Sequence, residues 1–96
     1  MRNAIPDDVK AKIAEVVKNR MGRFGGIVKT IKPGIDSIGE DVIDIEVVYG
    51  QSEDVISINI LSRLISDTIR LLIEAGEDRY PRYDHRFQPD QKFKAA

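Results

Sequence analysis

Residues Val42 to Tyr49 constrain the chain more than any other stretch. Ile43, Ile45, Val47 and Tyr49 fall on one side of an extended run, and Asp44 and Glu46 fall on the other. That period of two belongs to a strand with one apolar and one solvated face. A strand of this kind needs a second layer to cover its apolar side. The composition agrees, since fourteen Ile and eight Val stand against four Leu. A β-branched excess of that size favours sheet over an all-helical bundle. With three Tyr, three Phe and no Trp, the core has to be mainly aliphatic.

Helical signals flank the strand. Pro6-Asp7-Asp8 opens a helix, with proline tolerated in the first turn and two carboxylates at the positive end of the dipole. Val9, Ile13, Val16 with Val17, and Met21 recur at three and four, so residues 6–21 are expected to be helical, with Gly22 as the stop. Ile27 to Lys32, between Gly25-Gly26 and Pro33-Gly34, has the character of a strand, although its alternation is imperfect. Residues 35–41 and 50–54 are expected to be turns.

Residues 55–60 alternate like a strand, yet Val55, Ile58, Leu61, Ile65, Ile69 and Leu72 also make a helical stripe. The preferred reading is strand over 55–60 and helix over 61–75, ending at Gly76. The alternative is one helix from about residue 54, with Ser52 near its cap. Tyr83, His85 and Phe87 alternate with Asp84 and Arg86, as in an extended segment docked on the domain. The 96 residues make one domain, residues 1–87, with residues 88–96 expected to fray. The expected fold is an α+β two-layer sandwich: a small antiparallel sheet of two to four strands on two helices, in the order α-β-β-(β)-α-extended.

Several function classes drop out. Without Cys there are no disulfides, iron–sulfur clusters, thiolate zinc sites or Cys nucleophiles. No basic start leads into a long apolar run, and no stretch is apolar enough to span a bilayer, so a cytoplasmic protein with no membrane partner is expected. His85 is the sole histidine; Asp84 beside it points to the opposite face of an extended segment, and no Ser is placed near it. Asp44 and Glu46 share a face and would reach one Mg²⁺ if Asp36 or Asp41 folded over them, but a solvated strand face explains the same residues. No catalytic residue, cofactor or metal ligand is assigned, and an enzyme is not expected.

What remains points to interaction. Five bases (Lys18, Arg20, Arg23, Lys29, Lys32) lie between Glu15 and Asp36 with no acid among them, and seven acids lie between Lys32 and Arg63 with no base. Either Lys29 or Lys32 faces Asp44 or Glu46 across a strand pair, or the segregation makes a dipolar docking surface. Gly22-Arg23-Phe24-Gly25 has the Gly-x-x-Gly form with which KH domains hold nucleic acid, although that loop joins two helices and this one joins a helix to a strand. In the second helix Leu61, Ile65, Ile69 and Leu72 make the stripe, and Leu64 and Leu71 lie well round from it. An apolar arc of half the circumference or more is wider than a surface helix needs, so a second copy of the chain is expected to cover the excess. The segment from Tyr80 to Phe87 mixes aromatics with Arg, as interface anchors do. The expectation is therefore a small accessory or regulatory protein-interaction module acting as a homodimer, with Leu64, Leu71, Tyr80, Arg82, Tyr83, His85 and Phe87 as partner contacts. The alternative is a nucleic-acid-binding module using Lys18, Arg20, Arg23, Lys29 and Lys32.

Overall fold

The first helix, α1 (Asp7–Met21), follows Pro6 and buries Val9, Ile13, Val17 and Met21, a row repeating every fourth residue. Asp7 and Asp8 occupy its first turn and Lys18 and Arg20 its last, each matched to the nearer end of the dipole. The α-helix ends at Met21 with Gly22 as its C-cap, as expected, although the Gly22 backbone stays right-handed; a 3₁₀ turn over Gly22–Phe24 then carries the chain to Gly25, whose φ of 75° is left-handed. The computed structural model describes residues 4–50 and 55–87, and the backbone of Phe93–Lys94.

Two long strands follow, β1 (Gly26–Ile35) and β2 (Asp41–Tyr49), paired antiparallel. The uneven alternation of β1 has a physical cause. The register shifts between Val28 and Thr30, so Val28 pairs with Val47 and Ile31 with Ile45, both core-facing positions of β2. The extra residue, Lys29, is a β-bulge that lets two inward side chains stand three apart. The connecting turn is built on Asp36, whose carboxylate accepts from the amides of Ile38 (3.0 Å) and Glu40 (2.8 Å), while Gly39 takes a φ of 85°. Pro33 lies in β1, an edge strand, where its missing donor is tolerated.

The ambiguous segment resolves between the two readings. Ile56–Ser57 is a short strand, β3, and the second helix, α2 (Ile58–Glu74), starts directly after it. The Ser57 hydroxyl caps α2 by accepting from the Ile60 amide at 3.3 Å. Residues 58–60 are thus helical, not strand; Ser52 and the rest of 51–54 lie outside the described residues. The C-terminus of α2 is a Schellman motif: Gly76, at φ 75°, donates to the Ile73 carbonyl and Glu77 to that of Leu72.

The chain then forms β4 (Tyr80–Arg86), paired parallel with β2 over residues 42–48 and 80–86. The α2 crossover returns the chain to the same end of the sheet, so the pairing must be parallel. The α+β sandwich stands as expected, with a mixed rather than wholly antiparallel sheet in the order β1-β2-β4. A second, two-stranded pairing joins β3 to β5 (Phe93–Lys94) in parallel. The rest of the tail expected to fray lies outside the described residues.

Central strand β2 carries the core: Ile43, Ile45, Val47 and Tyr49 are all buried, against α1 residues and Leu64 and Leu72 of α2. No helix among the described residues is long and apolar enough to cross a membrane. At the α1–β1 joint, a Cβ on Gly26 would fall 2.8 Å from Met21 Cβ and 2.9 Å from the Tyr49 ring. Gly26→Ala is therefore expected to cost about 1–3 kcal/mol through overpacking. Gly22 has nothing within 4 Å of such a Cβ. With its helical backbone, Gly22→Ala should be neutral or stabilising by up to about 1 kcal/mol. Urea unfolding of both variants checks the pair, and equal losses would contradict this account of the joint.

Candidate functional site

Three surfaces are large or charged enough to act: the flank of α2 that the sheet leaves uncovered, the outer face of the sheet, and a hollow between α1 and α2. Their character follows from how α2 is rolled. Its buried line is Leu64, Thr68 and Leu72. Thr68, fully enclosed, donates to the Leu64 carbonyl at 2.7 Å and so accepts from the Tyr83 hydroxyl at 2.7 Å. Tyr83 is thereby held beneath the helix, and its pKa is pushed up to about 12, mainly by burial.

This roll reverses one expectation. Leu64, placed by the sequence on the spare face, is 0% exposed and belongs to the core, while Leu71 is half-buried. The uncovered apolar residues lie on the other flank: Ile58, Ile65 and Ile73 are 45%, 41% and 71% exposed. The excess width of the arc was legible, but the flank carrying it was not, because a pattern of apolar positions ranks Thr68 among the polar ones. Tyr80, 69% exposed, begins β4 and joins Ile69, Ile73 and Pro81 around a hollow of about 290 Å³.

The two faces of β4 divide the remaining expected contacts. Tyr83, His85 and Phe87 turn inward. Tyr83 stacks on His85 (5.5 Å between centroids), and Tyr49 stacks on Phe87 (4.7 Å). Burial raises the Tyr49 pKa well above the ordinary phenol value and lowers that of His85, with Asp84 opposing the latter. The Tyr49 hydroxyl and His85 Nδ1 share a 2.7 Å hydrogen bond, in which the phenol donates when the neutral imidazole carries its proton on Nε2. These rings seat the strand and leave little for a partner to touch.

Arg82, Asp84 and Arg86 turn outward, onto a shallow depression of about 480 Å³ shared with Thr30, Lys32, Asp44 and Glu46. Register places Lys32 opposite Asp44, as the cross-strand reading of the charge segregation requires. Arg82 takes both oxygens of Asp44, at 2.6 and 3.0 Å, and Arg86 bonds Asp84 at 2.9 Å. Exposed pairs of this kind fix register more than they stabilise. Asp44 and Glu46 are committed to this lattice, and among the described residues no three His, Cys, Asp or Glu side chains gather as a metal site.

The five bases of residues 18–32 do not form one surface. Lys32 stands on the sheet face, and Lys18 lines a groove with Gly25, Gly26 and Ile27. Lys29 is the bulge residue of edge strand β1. Arg20 and Arg23 do converge, on a hollow of about 240 Å³ completed by Asn19, Phe24, Ile60 and Arg63. The Gly-x-x-Gly glycines serve packing: Gly25 donates to Gly22, and its own carbonyl accepts from Gly50 at 3.0 Å. Sequence reading missed Arg63 and Asn19, which only the packing of α1 on α2 brings to this place. It also missed Arg79, 6% exposed, whose guanidinium grips the Glu77 carboxylate through two 2.8 Å bonds in the α2–β4 connection.

The depressed His85 pKa gives a pH dependence of stable sign. The unfolded chain takes up a proton near pH 6.5 while folded His85 resists it, so stability falls as pH drops below that value. His85→Asn keeps an acceptor at the Nδ1 position and cannot titrate. Urea unfolding at about pH 7.5 and about pH 5.5 should show a loss on acidification in the parent that is smaller in the variant; identical losses would contradict a buried neutral imidazole.

No family model matches the sequence, and comparisons with curated proteins and with solved structures likewise find no match, so the functional reading rests on this chain's own residues.

Proposed function

We propose that this protein is a small cytoplasmic interaction module of accessory or regulatory role that works as a homodimer through the uncovered flank of α2. The observation that carries the reading is the row Ile58, Ile65 and Ile73, between 41% and 71% exposed and continued by Tyr80 at 69%. A helix lying on one sheet needs one apolar stripe, and α2 has a stripe and a half. Burying each such side chain is worth about 1.5–3 kcal/mol, an incentive that a partner surface can collect. In a two-fold arrangement the same flank serves both copies, so one self-complementary patch suffices. Ser62 and Ser66, both exposed on α2 between these isoleucines, are small enough to let a second helix approach.

The alternative, a nucleic-acid module, draws less support. A polyanion is held by a track of cations along a groove, and Lys18, Lys29 and Lys32 diverge from Arg20 and Arg23.

Sedimentation equilibrium should give a mass of twice 10.8 kDa, insensitive to added salt. Ile65→Lys combined with Ile73→Lys should give a folded monomer, whereas Leu64→Asp should lose the fold because its side chain is in the core. A parent protein that sediments as a monomer over the whole concentration range would contradict the proposal.

A further inference from the structure

Strand β4 leaves one edge of the sheet open. Among the described residues it pairs with β2 on one side and with no strand on the other. An open edge is a template for a further strand. The direction of its backbone groups follows from the register. The Gly25 carbonyl accepts from Gly50, so the bonds to β1 run through Gly50 and every second residue back along β2. Ile43, Ile45 and Val47 are left to bond β4, which they do through Tyr80, Arg82, Asp84 and Arg86. Pro81, Tyr83 and His85 therefore turn their backbone polar groups to the open side. Pro81 fits this assignment, because its missing donor then takes nothing from the ladder.

The solvated face of the sheet is polarised along this strand. Register sets Asp44 between Lys32 and Arg82, two bases about one acid. Two residues further on, Glu46 stands beside Asp84, and Arg86 serves both, at 2.9 Å to Asp84 and 3.8 Å to Glu46. The face is thus basic on balance around Arg82 and acidic around Asp84, with Tyr83 between them. Arg82 and Asp84 keep 49% and 55% of their side chains exposed.

We infer that two copies of the chain join edge to edge, β4 antiparallel to the same strand of the partner about a two-fold axis at Tyr83, so that their sheets run on as one. The inference rests on the proposed dimer and states how it is built. The pairing sets Arg82 opposite the partner's Asp84 and Asp84 opposite the partner's Arg82, so each acid that neighbours Glu46 gains a base. Tyr83 exchanges both backbone bonds with the partner's Tyr83, and His85 donates to the carbonyl of the partner's Pro81. An axis one residue away in either direction sets like charges opposite, Arg82 against the partner's Arg82 or Asp84 against the partner's Asp84. An axis at His85 would match Asp84 with the partner's Arg86, and α2 decides against it. Tyr83 bonds Thr68 at 2.7 Å, so an axis at Tyr83 stands level with Thr68 and has Ile65 and Ile73 on either side. The uncovered flank of α2 borders this edge, since Ile69 and Ile73 share a hollow with Tyr80 and Pro81. Two-fold symmetry then brings the two α2 helices together on one face of the joined sheet, Ile65 towards the partner's Ile73.

The chain has no cysteine, so introduced thiols report which positions meet. Arg82→Cys and Asp84→Cys chains, mixed and oxidised, should give a linked species of twice 10.8 kDa. A non-hydrogen-bonded antiparallel pair has a Cα separation that a disulfide accepts. Asp84→Cys mixed with Arg86→Cys, the pair that an axis at His85 would join, should not link. In sedimentation equilibrium Asp84→Arg should weaken dimerisation roughly tenfold, because it sets Arg against Arg across the axis twice. Its new charge lies beside Glu46 within the chain, so the circular dichroism spectrum should be unchanged. A dimer that gives no Arg82→Cys to Asp84→Cys link and is unmoved by Asp84→Arg would overturn the edge pairing and leave the α2 flank as the interface. A parent protein that sediments as a monomer would overturn both.

Discussion

The rest of the molecule depends on how α2 sits on the sheet, and one enclosed hydroxyl fixes that. Thr68 has no exposed surface, donates to the Leu64 carbonyl and accepts from Tyr83 of β4. A buried hydroxyl left without a partner costs about 1–3 kcal/mol, comparable to a large part of a small domain's stability. Rolling the helix by one residue, about 100°, would withdraw Thr68 from Tyr83 and bring a different apolar set onto the sheet. The apolar residues alone permit several rolls, because the arc is so wide. The hydrogen bond selects one.

Both candidate surfaces follow from that roll. With Leu64, Thr68 and Leu72 down, Arg63 and Asp67 fall on the flank against α1, where Asp67 meets Arg20 and the arginine hollow forms. Ile58, Ile65 and Ile73 fall on the opposite flank, with nothing from the described chain over them. The sheet contributes in a different way. Its inner face presents Tyr49, Tyr83, His85 and Phe87 as one ring assembly, and its outer face spends its charges on one another. Cross-strand register sets Lys32 and Arg82 on either side of Asp44, which accounts for one base and one acid of the segregated stretches without invoking a ligand.

Much of this was legible in the residues. The fourfold repeat of α1 and the alternation of β2 are local patterns, and each matches its structural period over enough residues to stand alone. The run Tyr83, His85, Phe87 announced an extended segment for the same reason. Where reading failed, the deciding information lay elsewhere in the chain. The bulge at Lys29 is set by what β2 places opposite it, so the spacing of Val28 and Ile31 looks like noise in isolation. Residues 58–60 alternate like a strand and also continue a helical stripe through Ile58, and what decides between the two is the cap at Ser57. Parallel pairing of β4 depends on the crossover through α2, and the arginine hollow on residues some forty positions apart. Leu64 was assigned to the wrong flank because a threonine at the centre of a buried face looks polar until its partner is seen.

The central claim, that the Thr68–Tyr83 hydrogen bond sets the roll of α2, is tested most directly by a double-mutant cycle. Thr68→Val, Tyr83→Phe and the double variant keep shape while removing one or both hydroxyls. Urea unfolding should give each single variant a loss, the double variant a loss smaller than their sum, and a coupling of about 1 kcal/mol or more. Losses that simply add would mean the two hydroxyls do not depend on each other, and that packing alone places the helix.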